Sequence, residues 1–324
     1  MRTDNDNIVR YKVGGLLYMP AFQPSVAEKI KNGKYPCLTS IAFCLEDTVS
    51  EKFLTEAENF LHKTLREIQA LELVEAERPL IFVRVRTPEH MEHIVKLYND
   101  VQEILTGFIL PKFDMSNALR YVRQIKACNK DPKHPLYVMP ILESREVASA
   151  AGRIANLYAI KDILDSVHPY VLNLRVGGND FSNLYGLRRP INKTIYDINV
   201  IRDILVDIVN VFSEDYVISS PVWEYFGKDA NDEWAQGLRS ELELDLLNGF
   251  IGKTAIHPSQ LPIIYNSLKV SPSDYSDALK VLHWDNKKKG VAKSSSGKRM
   301  NEVSCHYNWA KRIRLLGEIY GIAE

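Results

Sequence analysis

The sequence predicts an α/β protein of the (β/α)8 TIM-barrel class with a C-terminal helical arm. Short, near-continuously apolar runs rich in β-branched residues alternate with longer stretches of helical periodicity. Eight such runs occur, and with their helices they span about 260 residues, the usual size of such a barrel. A run with no polar face is what a parallel strand needs when both its sides are covered.

The strand candidates are 15–19, 40–45, 80–85, 107–110, 136–141, 171–176, 216–219 and 253–256. Helix candidates between them include 51–73, 88–105, 116–128, 196–212 and 231–247. Over 196–212, Ile198, Ile201, Ile204, Leu205, Ile208, Val209 and Phe212 form one apolar stripe at helical spacing, suited to packing on a sheet. A doubly wound open sheet is the alternative. Against it, no Gly-x-Gly-x-x-Gly follows the first strand. After Ser267 the pattern changes to a helix at 273–283, a polar stretch at 286–299 and a final helix over about 303–320. Residues 1–268 are therefore read as the barrel and 269–324 as an arm or lid. Within the polar stretch, Lys287-Lys-Lys-Gly and Ser294-Ser-Ser-Gly-Lys298 read as a mobile linker.

The chain has 324 residues, and 41 Lys and Arg balance 41 Asp and Glu, which points away from nucleic acid or an anionic membrane as partner. No apolar run approaches the roughly 20 residues that span a bilayer. The polar start, Met1 to Arg10, is unlike a signal peptide. Cys37, Cys44, Cys128 and Cys305 are scattered without a Cys-x-x-Cys pair, so reduced thiols in a cytoplasmic protein are expected.

Chemistry in such barrels sits at the C-terminal ends of the strands. The residues there are Pro20-Ala21, Glu46-Asp47, Arg84 and Arg86, Pro111-Lys112, Glu143, Gly177-Gly-Asn-Asp180, Ser219-Ser220 and His257. A carboxylate just past a buried strand is costly unless it meets a cation or donors. Glu143 and Asp180, on neighbouring strands, could hold a hard divalent metal that keeps bound water. The short loop with Gly178 and Asn179 lets backbone N–H groups approach what that metal carries. Arg84, Arg86 and Lys112 supply charge for an anionic substrate. Plainer readings stand beside these. Arg84 and Arg86 could pair with Glu46 and Asp47 as a structural network. Lys112 could be a solvated loop residue, and Glu143 and Asp180 could cap helices. His257 before Pro258 reads as a structural histidine.

Several of these segments together resemble one family. Gly249-Phe-Ile-Gly-Lys-Thr-Ala-Ile-His-Pro-Ser-Gln260 is the most specific, and Gly177-x-x-Asp180-x-x-x-x-x-Gly186 is nearly as telling. Leu45-Glu-Asp-Thr-Val49, Val83-Arg-Val85, Leu110-Pro-Lys112 and Ile141-Leu-Glu143 follow in the same order. The chain is similar to the citrate lyase β-subunit branch of the HpcH/HpaI aldolase/citrate lyase superfamily, and most to its C–C bond lyases of the TIM-barrel fold. The resemblance implies a carbon–carbon lyase or aldolase acting on a small 2-keto acid or its 3-hydroxy-acid adduct through a metal-stabilised enolate. It implies Mg²⁺ on Glu143 and Asp180, Glu46 and Asp47 contacting metal-bound waters, and Arg84 on the keto-acid carboxylate and oxygen. A thioester hydrolase and a non-catalytic binding barrel are the alternatives.

Departures narrow the substrate. Cys44 stands where the family usually has aspartate, and Arg86 where it has asparagine. Leu17-Tyr-Met-Pro-Ala21 lacks the flanking arginine and glycine that relatives use near a coenzyme A thioester, which argues for another substrate tail. A second arginine would suit a phosphate or an extra carboxylate. The final helix carries Val303, Tyr307, Ala310, Ile313, Leu316 and Tyr320 near three-and-four spacing. Its need for a partner surface predicts a homo-oligomer, with the arm packing at an interface or over the barrel rim.

Overall fold

The computed structural model describes residues 4–74, 77–130, 134–285 and 289–323. The chain divides into two compact units, Val13–Ile264 and a second that joins the N-terminal helix Asp4–Lys12 to the chain from Tyr265 onward.

The first unit is a parallel barrel of β1 (Gly15–Pro20), β2 (Ser40–Cys44), β3 (Leu80–Arg84), β4 (Gly107–Leu110), β5 (Tyr137–Leu142), β6 (Asn173–Val176), β7 (Val217–Ser219) and β8 (Lys253–Ala255). Neighbours pair in chain order and β1 pairs with β8. The last seam, between β7 and β8, is held by a parallel bridge of Ser220 to Lys253 and by hydrogen bonds Ile251 N to Ile218 O (2.8 Å) and Ser220 N to Gly252 O (3.1 Å). The expected strands are thus found with ends shifted by a residue or two. Their side chains are almost wholly buried, as continuous apolar runs require. On helix Asn199–Phe212 the expected stripe is buried at Ile201, Ile204, Leu205, Ile208 and Phe212, with Val211 rather than Val209 completing it.

Two registers set up the site. Cys44 lies beside Arg84 across β2 and β3, and Leu142 beside Val176 across β5 and β6. The loop after β2 is therefore within reach of Arg84, and Glu143 falls next to Gly177.

In the second unit, helix Pro272–Leu282 packs on helix Val303–Tyr320 around Ala278, Val281 and Ala310, with Leu282, Trp309 and Ile313 against them. Tyr320 donates its hydroxyl to the Tyr11 carbonyl at 2.7 Å. The apolar series of the last helix is thus used largely inside its own unit. The linker expectation needs correction. Residues 286–288 lie outside the described residues, but β9 (Val291–Lys293) and β10 (Met300–Glu302) form an antiparallel hairpin. Its serine-rich turn is held by Asp277, which accepts from Ser295 N and Oγ (both 2.6 Å) and from Arg299 Nη2 (3.2 Å). Hydroxyls and a cation that read as solvated spacer are here partners for one buried carboxylate. Among the described residues no helix is long and apolar enough to cross a membrane.

Candidate active site

At the C-terminal rim of the barrel a cavity of about 420 Å³ is lined by Asp47, Arg84, Glu143, Gly178, Asn179 and Asp180, together with Tyr18, Cys44, Arg175 and Thr254. Glu143 leaves the end of β5 and is 6 % exposed. Its Oε1 accepts the Lys112 backbone N–H at 2.8 Å and lies 3.6 Å from Arg84 Nη2. Capping does not explain it, because Ser144 caps the following short helix through its own hydroxyl. Asp180 lies in the first turn of helix Gly178–Leu184.

The two carboxylates converge over Gly177. A Cβ built there would lie 2.5 Å from Glu143 Oε2 and 3.0 Å from Asp180 Oδ2. Only a residue without a side chain fits beneath both acids, since contacts under 3.0 Å are repulsive. Burial, and then the Asp180 charge, push the Glu143 carboxyl up to about 8, with Arg84 opposing. A further cation placed against Glu143 would favour its charged form. Among the described residues no cluster of three or more His, Cys, Asp or Glu forms a metal cage. The pair that could hold a divalent cation is Glu143 and Asp180, an oxygen-only set with room for water.

Arg84, the last residue of β3, joins the acids. Its Nη2 meets Glu46 Oε2 at 2.9 Å and its Nη1 meets Asp47 Oδ2 at 3.0 Å. Burial works against its charge, but Tyr18, Glu143 and Glu46 outweigh that and hold it more firmly protonated. Lys112 Nζ caps the network from the exposed side, 2.6 Å from Glu46 Oε1 and 3.6 Å from Asp47 Oδ1. Burial raises the Glu46 carboxyl despite Arg84 and Lys112, whereas Asp47, also burdened by burial, ends below its usual range through Glu46, Arg84 and Lys112. The ion network read as an alternative from the sequence is therefore present for Arg84.

Arg86 departs from its expected place. It lies beyond the strand and is spent on the β2 loop, donating to Leu45 O (2.7 Å), to Val49 O and to Glu51. Lys112 likewise points to Glu46 rather than lining the cavity. His257 bonds Ser259 at 2.8 Å and stacks on Phe226 at 4.5 Å, a structural histidine.

The motif most distinctive in sequence proves to be architectural. Lys253 is fully buried and meets Glu241 Oε1 and Asp245 Oδ2, both at 2.8 Å, behind the β7–β8 seam. Arg189 holds the other Glu241 oxygen at 2.6 Å. Gln260 donates to Trp223 O and Tyr225 O, both at 2.9 Å. Arg175 is a cavity residue that sequence reading passed over, as are Tyr18 and Thr254. Arg175 is 2 % exposed in the middle of an apolar strand, and only the alternation of β6 signals that it faces the barrel interior.

The family described as "C-C_Bond_Lyase of the TIM-Barrel fold" matches residues 7–322. The chain belongs to this family. Its fold is shared with solved structures at low identity. The protein CitE from Mycobacterium tuberculosis, solved with magnesium, acetoacetate and coenzyme A, is 18 % identical with a TM-score of 0.59, over 94 % of this chain and 99 % of that one. RipC from Yersinia pestis is 15 % identical with a TM-score of 0.56, over 82 % of this chain and 99 % of that one. Malate synthase from Haloferax volcanii is 13 % identical with a TM-score of 0.56, over 78 % of this chain and 73 % of that one. No curated protein matches the chain in sequence.

Proposed function

We propose that this C–C bond lyase is a Mg²⁺-dependent lyase or aldolase that cleaves or forms a carbon–carbon bond in a small 2-keto acid or its 3-hydroxy-acid adduct. The observation that carries the reading is the convergence of Glu143 and Asp180 over Gly177, with the Arg84 charge beside them. Two carboxylates and no nitrogen or sulfur donor suit a hard ion that keeps several waters. When bound, Mg²⁺ supplies Lewis-acid stabilisation of the charge that develops in such a cleavage. That CitE is solved with magnesium and acetoacetate adds support of the same kind.

The chain's own residues divide the remaining work. Arg84 adds a fixed cation beside the reacting centre, held in place by Glu46 and Asp47. Asp47 lines the cavity and would take hydrogen bonds from metal-bound water, with Glu46 supporting it through Arg84. Gly178 and Asn179 form the wall next to Asp180. The arm exposes Val291, Met300 and Tyr307, apolar surface that favours a homo-oligomer, and we take the protein to act in the cytoplasm. Incubation with Mg²⁺ and a panel of 3-hydroxy acids, with coupled detection of released keto acid, tests the reading. Keto-acid release that EDTA abolishes is the expected result. Thioester hydrolysis without carbon–carbon cleavage would replace it with the hydrolase alternative.

A further inference from the structure

Arg175 has a buried charge that the network around Arg84 does not use. Its Nη2 donates to Thr254 Oγ1 at 2.6 Å, and the Tyr18 phenol lies beside the guanidinium. Nε and Nη1 are closed off from solvent and have no hydrogen-bond partner. Both neighbours are neutral, so among the described residues no carboxylate pairs with this cation. A guanidinium buried without a counter-ion costs several kcal/mol, which a bound anion would offset.

The chemistry of arginine fixes how that anion would be met. A guanidinium only donates, so Thr254 accepts from it, and Tyr18 can only accept as well. Each hydroxyl proton is then left for another acceptor. Among the described residues neither hydroxyl has one. Tyr18 and Thr254 both line the same cavity as Glu143 and Asp180. Two O–H donors, polarised by the positive charge behind them, thus face the space the substrate would occupy. Arg84 differs in having its counter-ions in place, because Glu46 and Asp47 each pair with one of its terminal nitrogens.

We propose that Tyr18 and Thr254, backed by Arg175, form an anion subsite, and that the substrate carries a carboxylate or phosphate group separate from the oxygens addressed by Glu143 and Asp180. The substrate is then a dianion. This rests on the lyase reading for what lies at the other end of the cavity, but the subsite itself needs no metal.

Calorimetric titration of the metal-free full-length chain with malonate, inorganic phosphate and acetate tests it. Malonate or phosphate is expected to bind more tightly than acetate. Arg175→Met, Tyr18→Phe and Thr254→Val should each weaken that binding by roughly tenfold, the loss of one charge-assisted hydrogen bond. Malonate as the tighter ligand assigns a second carboxylate, and phosphate a phosphate ester. Equal binding in the parent and the variants overturns the proposal, and Tyr18→Phe and Thr254→Val keep the test decisive should Arg175→Met fail to fold. A separate Mg²⁺ titration distinguishes the two readings. Loss of Mg²⁺ binding alone would sink the lyase reading, and loss of Arg175-dependent anion binding alone would sink the subsite.

Discussion

Glu143→Gln removes one charge from the convergent pair while keeping its shape and its acceptor for the Lys112 N–H. In the metal-free protein the Glu143 carboxyl is raised from 4.5 to about 8, by burial first and by Asp180 second. A folded-state value above the unfolded one means the folded protein binds the proton more tightly. Stability is therefore highest below the unfolded value of 4.5 and falls as pH rises through 8. At about 1.4 kcal/mol per unit, the full shift corresponds to roughly 5 kcal/mol, of which about 2–3 kcal/mol is lost between pH 6 and 9. Urea denaturation of the metal-free parent should show that slope, and Glu143→Gln should flatten it and be the more stable protein at pH 9. Mg²⁺ should reverse the order, stabilising the parent at pH 9 and leaving the variant unchanged, because a cation relieves the charge that burial penalises. A parent whose stability is flat from pH 6 to 9, or a variant that still gains stability from Mg²⁺, would refute this account of the pair.

Other outcomes follow from the same geometry. Arg84→Lys keeps a charge but cannot span Glu46, Asp47 and Glu143 at once, and should cost about 3 kcal/mol in kcat/KM, as loss of an oxyanion donor does; turnover equal to the parent's would count against it. Gly177→Ala places a methyl 2.4 Å from Glu143 Cβ, with φ at −87° and thus no backbone strain, so displaced carboxylates and lost Mg²⁺ binding in calorimetry are expected with the fold intact by circular dichroism. Lys253→Met leaves Asp245 buried without its cation and should destabilise the barrel by about 3–5 kcal/mol in urea, with Mg²⁺ affinity unchanged. A loss of Mg²⁺ affinity there would tie the seam to the site.

Most of the barrel was legible because its strands are short and apolar on both faces, a pattern few other structures produce. The rim was legible for a related reason. Glu143 and Asp180 stand immediately after apolar runs, where a charge has no cheap explanation. What escaped was polarity whose partner is distant in sequence. The turn at 294–299 reads as spacer until Asp277, some twenty residues earlier, is placed beneath it. Arg86 was drawn to the site by its spacing from Arg84, yet the strand ends at Arg84 and the chain beyond it serves the neighbouring loop. Arg175 was hidden by its apolar neighbours, since a single cation inside a hydrophobic run does not disturb the pattern that identifies a strand.

The buried cluster of Arg189, Glu241, Asp245 and Lys253 lies behind the place where the barrel's last strand meets its predecessor. It acts as a clasp, and a clasp can be inherited unchanged while the contents of the vessel are replaced. Lys253 therefore serves closure, and its loss would loosen the seam while leaving the residues that line the cavity in place. The segment most distinctive in the sequence thus describes how the barrel shuts, and the reaction has to be read from the residues at its rim.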